Sequence, residues 1–187
     1  MNEGAMMTSQ THDFAADAGA RVRVEALAPV ARFSLRVRQQ GRAALGRALG
    51  LDLPERVGEV ARAGERAVLC LGPDEWLIHA PEAETDAIAA AGAEVYAEAP
   101  HALVELSDRE VSFAITGPAA AELLSIGCPR DLGRLAPGRA VRTVFDSAQV
   151  VLWRDGAEAF RVDVWRSFAP HVGALLDAGR AEIAAGL

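Results

Sequence analysis

The residues of this chain with chemistry to offer are few and scattered. His12, His79, His101 and His171 share no i, i+4 or short-loop spacing that would converge imidazoles on a metal. Isolated titratable residues are usually structural or solvated, and each histidine is read that way. Of the two cysteines, Cys70 sits mid-strand among Val68, Leu69 and Leu71 and is expected to be buried. Cys128 follows the end of a helical stretch, the electronegative side, with no histidine near it in sequence. A nucleophilic thiol needs a base or a helix N-terminus to lower its pKa, so a packed cysteine is the better reading. Gly117-Pro118-Ala119-Ala120 lies between strand and helix patterns and invites a phosphate-cradle reading. It lacks the glycine series and the G-K-[ST] ending, which leaves a tight turn. Gly72-Pro73-Asp74 is likewise a turn. The carboxylate pair Glu82/Glu84 falls where acids favour a helix dipole. Asp74/Glu75 and Ser107-Asp108 fall on turns. No convergent acid, base, nucleophile or metal set emerges, and no catalytic, cofactor-binding or metal residue is assigned.

Bulk properties narrow the partners. The 187 residues are 51% hydrophobic and 24% charged, enough for one sizeable core. A net charge of -7 works against polyanions, and Arg21, Arg23, Arg32, Arg36, Arg38 and Arg42 are interleaved with apolar residues rather than massed. Nucleic acid is not an expected partner. Apolar runs fall short of the roughly 20 residues a membrane-spanning helix needs. The first residues have no basic-then-apolar leader pattern. Two thiols give no disulfide framework, so a cytoplasmic setting is expected.

The elements that must hold these residues are legible from periodicity. Residues 1–20 lack it and read as a mobile tail. Phe33-Ser34-Leu35-Arg36-Val37 alternates as a half-buried strand. Residues 41–50 form a short helix stopped by Gly50. Ala67–Leu71 and Trp76–Ala80 make a hairpin, and Glu82 to Gly92 a helix ended by glycine. The second half repeats the order: strands at 102–106 and 111–115, a helix after Gly117-Pro118, a hairpin of Val150–Trp153 with Phe160–Trp165, and a helix over Phe168–Ala178. Each half carries the strand, helix, hairpin and helix of a ferredoxin-like unit. The prediction is an α+β fold of two pseudo-repeated halves, about 21–100 and 101–187, packed as one domain. Trp76, Trp153 and Trp165 all lie on the two hairpins. Core packing is their default, yet tryptophan is enriched at interfaces. With Arg166 and Phe168 they are the candidate docking residues.

These segments also resemble a known family. Leu71-Gly72-Pro73-Asp74-Glu75-Trp76-Leu77 looks like a hairpin of the sarcosine oxidase gamma subunit family. Val104-Glu105-Leu106-Ser107-Asp108, Gly117-Pro118-Ala119-Ala120, Gly127-Cys128-Pro129-Arg130-Asp131-Leu132, Pro137-Gly138 and Arg166-Ser167-Phe168-Ala169 resemble its further markers, in order. Arg130 departs from the leucine often found there, and residues 1–20 match nothing. The resemblance implies the fold of the folate-binding domain of glycine-cleavage T protein and YgfZ-type proteins. It implies a non-catalytic gamma subunit that docks on and stabilises the alpha subunit of heterotetrameric sarcosine oxidase. Alpha, beta and delta subunits are the implied partners, with self-association expected when the chain is alone. The implied complex demethylates sarcosine to glycine oxidatively and passes the one-carbon unit to tetrahydrofolate. FAD, FMN, NAD, tetrahydrofolate and zinc would sit on other subunits, with no cofactor on this chain. The alternative is a free-standing folate-binding or aminomethyltransferase-like protein, which a pocket between the halves lined by a carboxylate and aromatics would favour.

Overall fold

The computed structural model of the protein describes residues 21–186. The expected tail over residues 1–20 lies outside the described residues. The strands are β1 (Arg23–Ala26), β2 (Ala31–Val37), β3 (Val60–Ala63), β4 (Arg66–Gly72), β5 (Glu75–Ala80), β6 (His101–Glu105), β7 (Glu110–Thr116), β8 (Arg139–Phe145), β9 (Ala148–Arg154) and β10 (Ala159–Trp165). The helices are α1 (Arg42–Leu49), α2 (Thr85–Val95), α3 (Ala120–Ser125) and α4 (Ala169–Ala185). Two five-stranded antiparallel sheets result, in the orders β3-β4-β5-β2-β6 and β1-β7-β10-β9-β8.

Period-two alternation decides which face each strand gives to which layer. Phe33, Leu35 and Val37 of β2 join Val68 and Cys70 of β4 and Trp76 and Ile78 of β5 against Leu45, Leu49 and Ile88 of α1 and α2. In the second half Phe113 and Ile115 of β7, Val150 and Leu152 of β9 and Val162 and Val164 of β10 pack on Leu123, Leu124, Val172 and Leu176 of α3 and α4. The opposite faces of the sheets meet. Leu69 and Leu77 from one and Ala140, Val151 and Trp153 from the other form a small apolar contact between them.

The halves exchange their edge strands. β1 pairs with β7 in the second sheet (Val24 opposite Ile115), and β6 pairs with β2 in the first (Leu103 opposite Leu35). The linkers at 27–30 and 106–109 therefore cross the gap between sheets in opposite senses. At the far side the edges β3 and β8 come together through a bridge between Glu59 and Arg139.

Two local readings change, and two strands went unread. Gly92 lies inside α2 rather than ending it. A Cβ there would come 2.7 Å from Leu103 Cδ2, so this glycine lets α2 approach β6. α4 runs on to Ala185, well past residue 178. Strands β3 and β8 carry no clear alternation. In β8, Ala140 faces the inter-sheet contact while Phe145 faces the helices, so both faces are used.

Gly117 behaves as the tight turn that its sequence setting suggested. Its φ is +119°, and an added Cβ would lie 2.5 Å from the Arg21 carbonyl oxygen, which Ala119 N–H uses as acceptor. Gly117→Ala combines left-handed strain with a backbone clash. The expected loss is about 2–3 kcal/mol, read as a lower denaturant midpoint of the full chain.

Candidate functional site

The second faces of the two sheets are not uniformly apolar. Where β2, β5, β7, β9 and β10 approach, a chain of buried polar groups crosses from one sheet to the other. Arg32 on β2 is 1% exposed and Asp163 on β10 is 1% exposed. Arg32 Nη2 donates to Ser112 Oγ at 2.6 Å, and Ser112 Oγ donates to Asp163 Oδ1 at 2.5 Å. Trp153 Nε1 donates to the other carboxylate oxygen, Oδ2, at 2.5 Å. Arg32 Nη1 is held by the carbonyls of Glu110, at 3.2 Å, and Val30. The Arg32 N–H donates to Ser107 Oγ, whose hydroxyl donates on to Glu105.

His79 on β5 closes the chain. Arg161 Nη1 donates to its Nδ1 at 3.0 Å. An arginine only donates, so Nδ1 is the acceptor and the ring proton sits on Nε2, 3.5 Å from Asp163 Oδ2. Burial holds the His79 pKa down at about 4, with Arg32 and Arg161 adding to the effect against the pull of Asp163. Burial also lowers the Arg32 pKa, opposed by Asp163 and Glu110, and raises that of Glu110, with Asp163 adding to the rise. The guanidinium of Arg161 stacks over the Trp153 ring, 4.3 Å from its centroid.

Serine, histidine and aspartate thus meet here, but in the wrong order for nucleophile activation. In a hydrolytic triad histidine stands between acid and serine. Here Ser112 and His79 address opposite oxygens of Asp163, and Arg32 donates into the serine oxygen. The chain can lock two sheets together; it has no exposed nucleophile. A second cross-sheet link lies nearby. Arg142 on β8 binds both oxygens of Glu75 on β5, which also accepts from Arg36 and has its pKa lowered chiefly by Arg142.

The expected docking residues divide. Trp76 and Trp153 are each 1% exposed. Trp76 packs under α1 and α2 with Nε1 on the Pro54 carbonyl, and Trp153 is tied to Asp163, so burial removes both from any docking surface. Trp165 (42% exposed), Arg166 and Phe168 (39%) stand outward together after β10. Arg109 lies over the Trp165 ring at 4.9 Å, and Arg166 Nε donates to the Asp108 carbonyl. Beside them a crevice of about 150 Å³ enters between the sheets, lined in part by Trp76, Glu110, Asp163 and Trp165. A separate groove of about 550 Å³ lies over Arg62, His79, Asp155 and Arg161.

The other reactive residues are accounted for locally. Cys70 and Cys128 are buried free thiols. His101 Nδ1 contacts the Ala99 carbonyl, and His171 Nε2 pairs with Asp146 on the surface. His12 lies outside the described residues. Among the described residues no cluster of three or more His, Cys, Asp or Glu could hold a metal, and no helix is long and apolar enough to cross a membrane. Arg32, Glu110, Ser112 and Asp163 escaped sequence reasoning because each is a polar residue in an alternating strand, which reads as a solvated face. A buried partner sheet is invisible to that signal.

Comparison with known proteins gives a consistent picture. A family model described as "Sarcosine oxidase, gamma subunit family" matches residues 39–182. A sarcosine oxidase subunit gamma from Arthrobacter sp is 42% identical over 145 residues, 74% of this chain and 69% of that one. Its counterpart from Corynebacterium sp. (strain U-96) is 39% identical over 142 residues, 74% and 68% of the two chains. Among solved structures, a chain of heterotetrameric sarcosine oxidase from Corynebacterium sp. U-96, in complex with pyrrole 2-carboxylate, superposes with a TM-score of 0.79 at 35% identity, covering 88% of this chain and 87% of that one. Glycine cleavage system aminomethyltransferase T from Bartonella henselae follows with a TM-score of 0.65 at 15% identity, over 84% and 45% of the two chains, a likeness of fold alone. The two-halved α+β reading, with its likeness to the T-protein fold, is borne out.

Proposed function

The chain belongs to the sarcosine oxidase gamma subunit family, and from that premise we propose that it serves as a non-catalytic subunit of a heterotetrameric sarcosine oxidase. Its task is to dock on and stabilise the alpha subunit, alongside beta and delta subunits, in a complex that demethylates sarcosine to glycine with one-carbon transfer to tetrahydrofolate. The observation that carries this reading is the close superposition on a chain of the heterotetrameric enzyme over nearly its whole length. The centre of the molecule supports it. The crevice between the sheets holds about 150 Å³, well under the roughly 300–1,000 Å³ of small-molecule sites. The adjoining space between the sheets is taken up by the chain from Arg32 to Asp163, which favours a rigid docking block; a folate pocket would have to form in the cleft of about 370 Å³ at the linkers, where Glu110 and Phe113 belong to the lining. Two buried free thiols suit a reducing cytoplasm.

The docking face in this reading is Trp165, Arg166 and Phe168 with Arg109. Exposed aromatics beside arginines are the composition of interface anchors. On a chain of net charge -7, a patch carrying two arginines selects an acidic partner surface. The test is co-expression of the tagged chain with alpha, beta and delta chains, followed by pull-down. A stoichiometric flavin-coloured complex, with this chain colourless alone, is the expected result. A monodisperse chain that ignores those partners and binds tetrahydrofolate overturns it and promotes the free-standing folate protein. Within the complex, Trp165→Ala should weaken association by about 2 kcal/mol, roughly 30-fold, in surface-immobilised binding measurements. Unchanged affinity would move the docking face elsewhere and leave the subunit reading standing.

A further inference from the structure

An edge strand shows backbone groups that invite pairing with another chain, and the edges of these two sheets are protected unequally. β3 and β8 cover one another through the bridge between Glu59 and Arg139. β1 is four residues long and turns Arg23 and Glu25 to solvent, charges that discourage a further strand. β6 has no such device. It ends its sheet beyond β2, and over residues 101–104 the side chains it exposes are Ala102 and Val104. Val104, 53% exposed, stands on one face of this edge. Tyr96, 55% exposed with its ring 5.5 Å from that of His101, flanks the other.

The register fixes which backbone groups are open. Leu106 N–H donates to the Arg32 carbonyl at 2.7 Å, and in an antiparallel ladder the hydrogen-bonded pairs recur at every second residue. Val104 and Ala102, opposite Ser34 and Arg36, therefore give their backbone groups to β2, and those of His101, Leu103 and Glu105 point away from the sheet. These three are symmetric about Leu103, so the segment is its own complement. Laid antiparallel on a copy of itself with Leu103 at a twofold axis, all three enter hydrogen-bonded pairs. Ala102 then stands opposite the partner's Val104, an apolar pair. His101 stands opposite the partner's Glu105, which keeps the two carboxylates apart.

We propose that two copies of this chain pair through β6 in that register, joining their five-stranded sheets edge to edge. The self-association expected of the isolated chain thereby gains a surface and a register, and it does not rest on docking to other subunits. One short strand pair is a small interface of the transient class, so the dissociation constant falls at roughly 10–100 µM.

Sedimentation velocity of the purified full chain, from about 1 to 500 µM, should show a reversible monomer–dimer equilibrium. Val104→Lys charges the open edge at an exposed position and should weaken the dimer at least about tenfold. Trp165→Ala, outside the strand, should leave it unchanged. The register has its own readout. Ala102 and the partner's Val104 form a non-hydrogen-bonded pair with Cα atoms about 4.5 Å apart, within reach of a disulfide. An Ala102→Cys chain mixed with a Val104→Cys chain should cross-link under mild oxidation. Either variant alone, its cysteines beyond the roughly 7 Å limit, should not. Cys70 and Cys128 are buried and stay out of the reaction. A chain monomeric throughout the range, a dimer indifferent to Val104→Lys or equally weakened by Trp165→Ala, or a mixture that fails to cross-link overturns the proposal. So does a monomer whose Val104→Lys variant no longer captures the alpha subunit, which gives the edge to that chain instead.

Discussion

Replacing Asp163 by alanine should cost the fold about 3–5 kcal/mol, the toll of breaking a buried charge pair from one side. The loss has three parts. Ser112 Oγ and Trp153 Nε1 each lose the acceptor they contact at 2.5 Å. Arg32, 1% exposed, loses the carboxylate 4.0 Å from its Nη2 and keeps only Glu110 as a nearby countercharge. His79 Nε2 loses the oxygen it faces. Against a total stability of about 5–15 kcal/mol for a domain, this is a large share of what holds the fold. Denaturant unfolding of the purified chain reads it directly. The pair argument makes a sharper demand of the double variant. Arg32→Leu combined with Asp163→Leu removes both charges at once, and its cost should fall well short of the two single costs added together. Additive costs would mean that the residues act as independent packing units and that the polar chain is not a unit.

Acidification should weaken the protein through His79, by up to about 3 kcal/mol. The folded imidazole is held neutral down to about pH 4 by burial, while an unfolded one takes its proton near 6.5. Between those values the unfolded state binds more protons than the folded state. Stability therefore falls as the pH drops from about 6.5 toward 4, and the contribution stops growing below 4. The groups that set this balance face the ring from several strands: Asp163 favours the proton, and Arg32, Arg161 and Arg62 oppose it. Other ionisable groups contribute to the pH dependence of the wild type, which alone does not isolate the effect. His79→Gln keeps an acceptor for Arg161 and removes the titration. The difference between the two unfolding curves, taken between about pH 7 and pH 4, should show the His79 share. Parallel curves would mean that the folded ring takes up its proton as readily as the unfolded one, against the buried neutral geometry drawn from Arg161 and Asp163.

The two predictions rest on residues of very different visibility. The order of elements could be read along the chain, because strands facing helices declare themselves by alternation: Phe33, Leu35 and Val37, or Phe160, Val162 and Val164, are apolar at every second position. The turn at Gly117 and the stop at Gly50 follow from local backbone demands that neighbouring residues announce. The ordered markers from Leu71 to Ala169 carried the family. The other face of each strand was another matter. Arg32, Ser112, His79, Asp163 and Arg161 occupy the alternate positions, where a single sequence shows polar residues and nothing distinguishes water from a second sheet. Packing the halves face to face turned that surface into an interior and set a carboxylate from β10 against an arginine from β2. The same packing buried Trp76 and Trp153 and left Trp165 outside, although all three lie on comparable hairpins. The exchange of β1 and β6 was equally hidden, since strand pairing is a long-range choice made by whichever edge is left open. Local periodicity depends on near neighbours and is written along the chain. Which faces meet depends on contacts between distant residues, and only the folded arrangement holds that information.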